Sequence, residues 1–388
     1  MADVRFGIIG IGGMGGAHGK NIIEGKVPGA TLGAVCDRDE EQFDKFPDAA
    51  HFADALEMYA SGTIDAVIIA TPHFSHTPLS IAAFEAGLHV MVEKPLGVTT
   101  GDCQKTIAAY EARPNKDQVF GVMFNQRTNP TYIKLKQMID NGELGAIKRV
   151  NWTITDWFRT EIYYQSGGWR ATWKGEGGGV LVNQCPHQLD LFQWLFGLPV
   201  RVRAHCTFGR DHEIEVEDNV TAYMEFENGG TGVFIASTGE APGTNRLEIA
   251  CDRGKVIIDR STRAREDFRF LRTEQHVSEF SKSTDQRFGQ PELWDAEVLA
   301  PDGGEQHLGI LKNFADAITK GEPLMASGVE GIRGVELCNS MLYSAFTDST
   351  VTLPVDPVAY AAEIQQRIDN STFQKKVVKT SDDLDGSF

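Results

Sequence analysis

In the stretch GGGVLVNQCPHQLDLFQWLFG, residues 177–197, three glycines lead into an apolar run that carries Asn183 and His187. On a helix, residues four apart share one face, one turn from each other. An imidazole with an ordinary pKa near ~6.5 suits reversible proton transfer at neutral pH. A histidine that merely opens a helix fits the same spacing. Lys94, in HVMVEKP, follows an apolar run and precedes a proline that stiffens the backbone. A lysine there can hold positive charge beside a reacting oxygen, or simply end a strand at the surface.

Other residues have the types and spacing for binding a nucleotide. Gly10, Gly12 and Gly15 of GIGGMG follow a G-x-G-x-x-G spacing between an apolar run and a helix-compatible segment. The first glycine permits a tight turn, the second lets the backbone approach a pyrophosphate, and the third lets helix and strand pack closely. The N–H groups of Gly13 and Met14 then open toward the phosphates. Asp37 ends a second apolar run, 22 positions beyond Gly15, where a ribose-hydroxyl acceptor is expected. The competing assignment is a cap for the following helix. A carboxylate at this point repels a 2′-phosphate and favours NAD over NADP, whereas the adjacent Arg38 could receive that phosphate.

These residues need strands and helices to position them. VRFGIIG, ATLGAVC, IDAVIIA, HVMV and VFGVM read as strands, and helix-like segments alternate with them. That alternation gives βαβ units and a parallel sheet, with ligands beyond the carboxyl ends of the strands. Thr71, Pro72, His73 and His76 lie at one such end, Glu93 and Lys94 at another, and Asn125 at a third. From about residue 126 the pattern changes. In KRVNWTITDW, Val150, Trp152 and Ile154 alternate with Asn151, Thr153 and Thr155, as in a strand with one buried face. VRVRAHCTF, NVTAYMEF, TGVFIAS, RLEIAC and KVIID follow, some separated by hairpin turns. Helices are expected near 307–320 and 329–347, the second opened by a capping box of Ser327 and Glu330. The expected fold is α/β. A Rossmann dinucleotide-binding domain spans 1–125, an antiparallel sheet with helices on one side spans 126–356, and a helix and tail span 357–388.

Composition sets the boundaries. The chain has 388 residues, more than one ordinary core holds, with 41% hydrophobic and 23% charged residues. A net charge of −17 argues against nucleic acid or an anionic membrane as partner. No apolar run approaches the roughly 20 residues that cross a bilayer. The N-terminus lacks the pattern of a signal peptide. Six scattered cysteines, without C-x-x-C spacing, fit a reducing cytoplasm and suggest neither a disulfide framework nor a metal site. The tail QKKVVKTSDDLDGSF is expected to be loosely held.

The sequence resembles the Gfo/Idh/MocA oxidoreductases over nearly its whole length. GIIGIGGMGGAH, ATPHFSH, EKPLGVT, LKQMIDNGELGAIKRV, GGGVLVNQCPHQLDLFQWLFG and LKNFADAITKGEPL carry the likeness in that order. The resemblance implies a C-terminal α/β domain with a large, mainly antiparallel open sheet, a nicotinamide cofactor, and sugar or polyol substrates. It places Lys94 on the reacting hydroxyl and His187 as acid/base. It also leads one to expect Asp at 183 and Asn at 73, where this chain has Asn and His. An amide can orient a sugar or an imidazole, but it cannot take a proton. Asp190 is a candidate for holding the imidazole tautomer.

The segment TDWFRTEIYYQSGGWRATWKGEGGG crowds aromatic and cationic residues before the Asn183/His187 stretch. Arg159, Tyr163, Trp169 and Arg170 are the expected substrate contacts there, with Asn125, Asn183 and His187; the other aromatics can equally form a local core. Glu240 and Arg246 could line the pocket rim but are expected to form a surface ion pair. His307, at a helix start, could reach the site but is expected to serve structure. A broad half-apolar sheet needs cover, which predicts a homo-oligomer, a dimer or tetramer. The activity expected is hydride transfer between a sugar or cyclic polyol carbon and NAD. The alternatives are redox-neutral cleavage of a glycoside through transient oxidation, or a non-catalytic dinucleotide-binding regulator.

Overall fold

Short runs of Val, Ile and Ala, buried on both faces, build the first sheet. In the computed structural model, which describes residues 3–261, 266–301 and 303–378, this half of the chain comprises ten strands and helices. They are β1 (Val4–Ile9), α1 (Gly13–Ile23), β2 (Ala30–Cys36), β3 (Ala50–Phe52), α2 (Ala55–Ala60), β4 (Ala66–Ile69), α3 (His76–Glu85), β5 (His89–Val92), α4 (Thr100–Ala112) and β6 (Phe120–Val122). Six parallel strands lie in the order β3-β2-β1-β4-β5-β6. The order reverses between β1 and β4, so a crevice opens beyond their carboxyl ends. The Rossmann arrangement expected from the alternation is present.

Alternating apolar and polar residues build the second sheet. Its elements are α5 (Pro130–Asp140), β7 (Ile147–Ile154), α6 (Glu161–Gln165), α7 (Pro186–Phe196), β8 (Arg201–Phe208), β9 (Glu217–Glu225), β10 (Thr231–Ser237), β11 (Asn245–Cys251), β12 (Gly254–Asp259), β13 (Asp267–Thr273), α8 (Val277–Ser283), β14 (Leu293–Glu297), α9 (Gln306–Lys320), α10 (Gly331–Thr347), β15 (Val351–Thr352) and α11 (Pro357–Asn370). The strand order is β14-β13-β12-β11-β7-β10-β9-β8-β15, and β7–β10 is the one parallel strand pair of this sheet among the described residues. Val150, Trp152 and Ile154 of β7 are buried, with Phe234 and Leu247 from neighbouring strands, in a core that also holds Leu189, Phe192, Leu337 and Met341 from α7 and α10. On the opposite face Val233, Ile235, Ile257 and Leu271 stay half-exposed.

Four details depart from the sequence expectation. Helix α9 returns to the first core, where Ile310, Leu311 and Phe314 are buried with the Rossmann strands. The division we propose at 125/126 and 356/357 therefore follows the chain but not the cores. Ser327 makes no side-chain cap, and Glu330 turns instead to Arg127 (2.5 Å), so the capping box does not form. Asn183 and His187 do not share a regular helix, because a wider turn at Val180–Gln184 precedes α7. The tail is anchored through residue 378: Lys375 Nζ donates to the main-chain oxygen of Arg170 (2.7 Å), and Val378 bridges to Ser166. The rest of the expected loose tail lies outside the described residues.

Candidate active site

The glycine turn is shaped by close approach. Gly10 has φ +80°, and a Cβ there would meet the main-chain oxygen of Ala70 at 2.7 Å. At Gly15 a Cβ would lie 1.9 Å from the oxygen of Gly10, whereas Gly12 faces open space, with nothing within 4 Å. Helix α1 begins at Gly13, so its first N–H groups, including those of Met14 and Gly15, have no intrahelical acceptor. An open approach at Gly12 beside unused donors fits a dinucleotide pyrophosphate. Asp37 Oδ2 accepts from the N–H of Ile11 (2.8 Å), bracing this turn, while Oδ1 accepts from Asp39 N–H (3.0 Å). The cap of the next turn is Asp39, which accepts from Glu41 N–H. Arg38 is exposed beside it.

The next two strand ends are locked together. His76 faces the main-chain oxygens of Pro95 (2.7 Å) and Thr71 (2.8 Å) through its two ring nitrogens. Thr71 and Pro72 thereby hold their place against the Glu93–Pro95 turn. His73 reaches the main-chain oxygen of Glu176 (3.0 Å) and packs edgewise on Trp169, with ring centroids 5.1 Å apart. Glu93 accepts from His18 Nε2 (2.7 Å) in a buried pair. Burial alone would raise the Glu93 carboxyl, but the His18 contact, together with His307 and Lys94, outweighs it and holds the group below the usual carboxylate range.

Lys94 emerges from this turn and crosses to the second domain. Its Nζ donates to the main-chain oxygen of Asn183 (2.7 Å) and to Asn183 Oδ1 (3.3 Å). Loss of solvation lowers the ammonium to about 8, with Arg170 and Arg159 assisting and Glu93 and Glu176 opposing. His187 is 7% exposed, and its Nδ1 has no hydrogen-bond partner among the described residues. Burial, then the charge of Lys94, holds it well below its ordinary pKa, so the ring is neutral at pH 7. His307 stands 6.3 Å from His187 and 5.8 Å from His18, centroid to centroid, and its Nδ1 lies 3.3 Å from Asn125 Nδ2. It therefore reaches the cluster, the alternative that the sequence left open beside a structural role at the helix start.

The turn carrying Asn183 explains the three glycines. A Cβ at Gly179 would lie 2.0 Å from the main-chain oxygen of Glu217, and one at Gly177 (φ +82°) would meet Val98 at 2.3 Å. Glu217, on β9, accepts from the N–H groups of Gly179 (2.8 Å) and Leu181 (3.0 Å). Cys185 N–H reaches back five residues to Val180 (2.8 Å), which widens the turn. Pro186 then opens α7, where its missing N–H costs no hydrogen bond. The outcome places Asn183 and His187 near Lys94 from different local structures.

The aromatic segment divides. Trp173 and Tyr164 are buried in the core, Trp173 against Phe208 and Phe346. Tyr163 stays half-buried, and its hydroxyl receives Gln184 Nε2 (2.9 Å), Arg170 Nη1 (3.3 Å) and Asn183 Nδ2 (3.4 Å). The Arg170 guanidinium lies over the Tyr163 and Trp169 rings at 4.8 and 4.5 Å, and Arg159 over Trp157 and Tyr163 at 5.1 Å each. Tyr163, Trp169 and Arg170 thus connect to Lys94 through Asn183, His73 and Glu176. Two expectations fail. Asp190 is held by Arg127 (2.7 and 2.8 Å) and Gln193 rather than by His187. Arg246 pairs with Asp259 (2.6 Å) on the neighbouring strand, not with Glu240.

Sequence reasoning passed over Glu176, Glu217 and His18. Glu176 had one visible signal, a single charge set directly against GGG. The other two act through contacts with residues distant in the chain.

Comparison with known proteins agrees with this architecture. Residues 4–120 match the family model described as oxidoreductase family, NAD-binding Rossmann fold, and residues 132–257 match the GFO/IDH/MocA C-terminal domain. An uncharacterized oxidoreductase of Escherichia coli, YdgJ, is 31% identical over 52% of this chain, a stretch that spans only 56% of that relative's length. The scyllo-inositol 2-dehydrogenase (NAD(+)) of Bacillus subtilis is 29% identical over 66% of this chain and 74% of its own. The levoglucosan dehydrogenase of Pseudarthrobacter phenanthrenivorans is 27% identical over 75% of this chain and 80% of its own. Among solved structures, the WlbA dehydrogenase from Chromobacterium violaceum, in complex with NADH and UDP-GlcNAcA, superposes with a TM-score of 0.78 at 27% identity. That superposition covers 92% of this chain and 97% of the other.

Proposed function

This chain belongs to the Gfo/Idh/MocA oxidoreductase family, and from that premise we propose that it transfers a hydride between a hydroxyl-bearing carbon of a sugar or cyclic polyol and NAD. One observation carries the reading: the Lys94 ammonium, at the end of a Rossmann strand, is hydrogen-bonded to Asn183, four residues before the neutral, buried His187. When bound, the nicotinamide supplies the hydride acceptor. Gly10, Gly12, Gly13, Met14 and Gly15 would hold its pyrophosphate. Asp37 would take the ribose hydroxyls, which favours NAD over NADP. The Thr71–His73 and Glu93–Lys94 turns would border the nicotinamide.

In the oxidation direction His187, being neutral, accepts the hydroxyl proton. Lys94 has three N–H donors; two point at Asn183 O and Oδ1, which leaves one for the oxygen as it gains negative charge. Asn183 therefore acts by fixing Lys94, not by taking a proton. Asn125, Tyr163, Trp169, Arg159 and Arg170 are the proposed sugar contacts, through aromatic faces and hydrogen bonds. Inositol and levoglucosan dehydrogenases among the relatives support this substrate class. The half-apolar outer face of the second sheet supports a homo-oligomer, and six unpaired cysteines support a cytoplasmic setting.

The test is a panel of sugars, glycosides and cyclic polyols, with NAD and NADP compared. NADH should form with at least one of them. A panel without NADH, from a protein shown to bind NAD, would sink the proposal.

A further inference from the structure

We propose that Glu176 is the positioning carboxylate of this active site: acting through Asn183, it holds the amide oxygen toward Lys94, and its ionisation decides whether Lys94 is set for the reacting oxygen. The inference rests on the reading of Lys94 as the group that contacts that oxygen.

Glu176 is 1% exposed and forms no ion pair with Lys or Arg among the described residues. A carboxylate buried in that way is costly and needs other hydrogen-bond donors. It has two. Oε2 accepts from the N–H of Ala171 (2.6 Å), and Oε1 accepts from Asn183 Nδ2 (2.5 Å). An amide has one donor end and one acceptor end. With Nδ2 committed to Glu176, Oδ1 must face the other way, where it meets Lys94 Nζ at 3.3 Å.

Protonation would break this arrangement. Both neighbours of the carboxylate are N–H donors, so an added O–H has no acceptor unless the Asn183 amide turns over. Once turned, the amide presents Nδ2 to the Lys94 ammonium, donor against donor. Lys94 then keeps its main-chain acceptor but loses Oδ1. The carboxylate missing from position 183 is thus supplied one link away, and Asn183 relays its effect.

The surroundings favour such a change near neutrality. Facing Glu176 are Arg170 from its own loop, Lys375 from the C-terminal segment, Lys94 from the β5 end, Glu217 from β9, Tyr164, and His73, which holds the Glu176 main chain. Burial pushes the Glu176 carboxyl up to about 7, against the opposing charge of Arg170. His73 and Asn183, the two positions where the sequence departs from its family resemblance, both contact this one residue.

Glu176→Gln and Asn183→Asp test the inference, alone and combined, after circular dichroism and NADH binding confirm folding. Two readouts are used: the pH profile of kcat/KM, and the pH midpoint for acylation of Lys94, followed by peptide mass spectrometry. The wild type should lose kcat/KM as pH falls through about 7. Glu176→Gln should lack that acid limb, lose kcat more than it raises KM, and shift the Lys94 midpoint downward. Asn183→Asp should shift the midpoint upward, and adding it to Glu176→Gln should restore activity. A Glu176→Gln profile parallel to wild type, with the Lys94 midpoint unmoved, would overturn the inference. The acylation readout needs no substrate, so it decides the role of Glu176 even if the proposed dehydrogenase activity fails. If Glu176→Gln does not fold, the midpoint in Asn183→Asp decides, and an unmoved value counts against the coupling.

Discussion

Lys94 Nζ lies 2.7 Å from the main-chain oxygen of Asn183, a hydrogen bond that joins the end of a Rossmann strand to the turn before α7. The contact brings the proposed charge carrier of one domain to the turn that precedes the proposed acid/base, His187, in the other. It also makes the proposed reactive centre depend on how the two domains pack.

Removing that charge should remove turnover while leaving the nucleotide site in place. Lys94→Ala is expected to lose about 10²–10³-fold in kcat, the range for loss of one preorganised oxyanion donor. NADH binding, followed by fluorescence titration, should change little. Near-normal kcat would take Lys94 out of the mechanism.

His187→Ala should cost about 10²–10⁴-fold in kcat, the usual contribution of a positioned general base. The pH profile adds a second check. Lys94 must be charged to stabilise the alkoxide, and its ammonium is lowered to about 8. Protonated below that value and neutral above it, the group should make kcat/KM fall as pH rises through about 8. A profile that climbs steadily to pH 10 would contradict the charged-lysine role.

Asp37 is tied to the glycine turn through Ile11, and in the proposed reading it takes the ribose hydroxyls. Asp37→Ala should raise the KM for NAD by about tenfold, equivalent to about 1.4 kcal/mol, and narrow its advantage over NADP. Parallel steady-state titrations of both nucleotides would show it. An unchanged ratio would assign Asp37 to bracing the turn alone.

Away from the chemistry, Arg127 is buried and bonded to Asp190, Glu330 and the main chain of Met325. Arg127→Met leaves Asp190 buried and uncompensated, which should cost about 3–5 kcal/mol of stability. Denaturant unfolding would measure it. A loss below 1 kcal/mol would mean that Asp190 finds other partners.

Local chemistry was legible in the sequence where backbone geometry dictates residue type. Gly10 and Gly15 had to be glycine because neighbouring main chain lies against them. Spacing alone left Lys94 more readily a surface lysine, and only the family resemblance singled it out. The regular helix assumed for Asn183 and His187 failed, since Glu217, 34 positions beyond Asn183, binds Gly179 and Leu181 and shapes the wider turn. The same limit hid Glu176 and His18, whose partners are set by packing between segments. Helix α9 showed the right period, but its choice of the Rossmann core depends on shape that no local pattern encodes. Asp190, one turn from His187, was a reasonable guess for its partner until Arg127 arrived from another element to claim it.

The most direct measurement of the proposed chemistry is stoichiometry: NADH formed against hydroxyl oxidised, followed to completion with the best substrate of the panel. One NADH is expected for each carbonyl produced, with both products lost in Lys94→Ala and His187→Ala. Glycoside cleavage without accumulating NADH, abolished by the same substitutions, would contradict net hydride transfer and assign the site to redox-neutral cleavage.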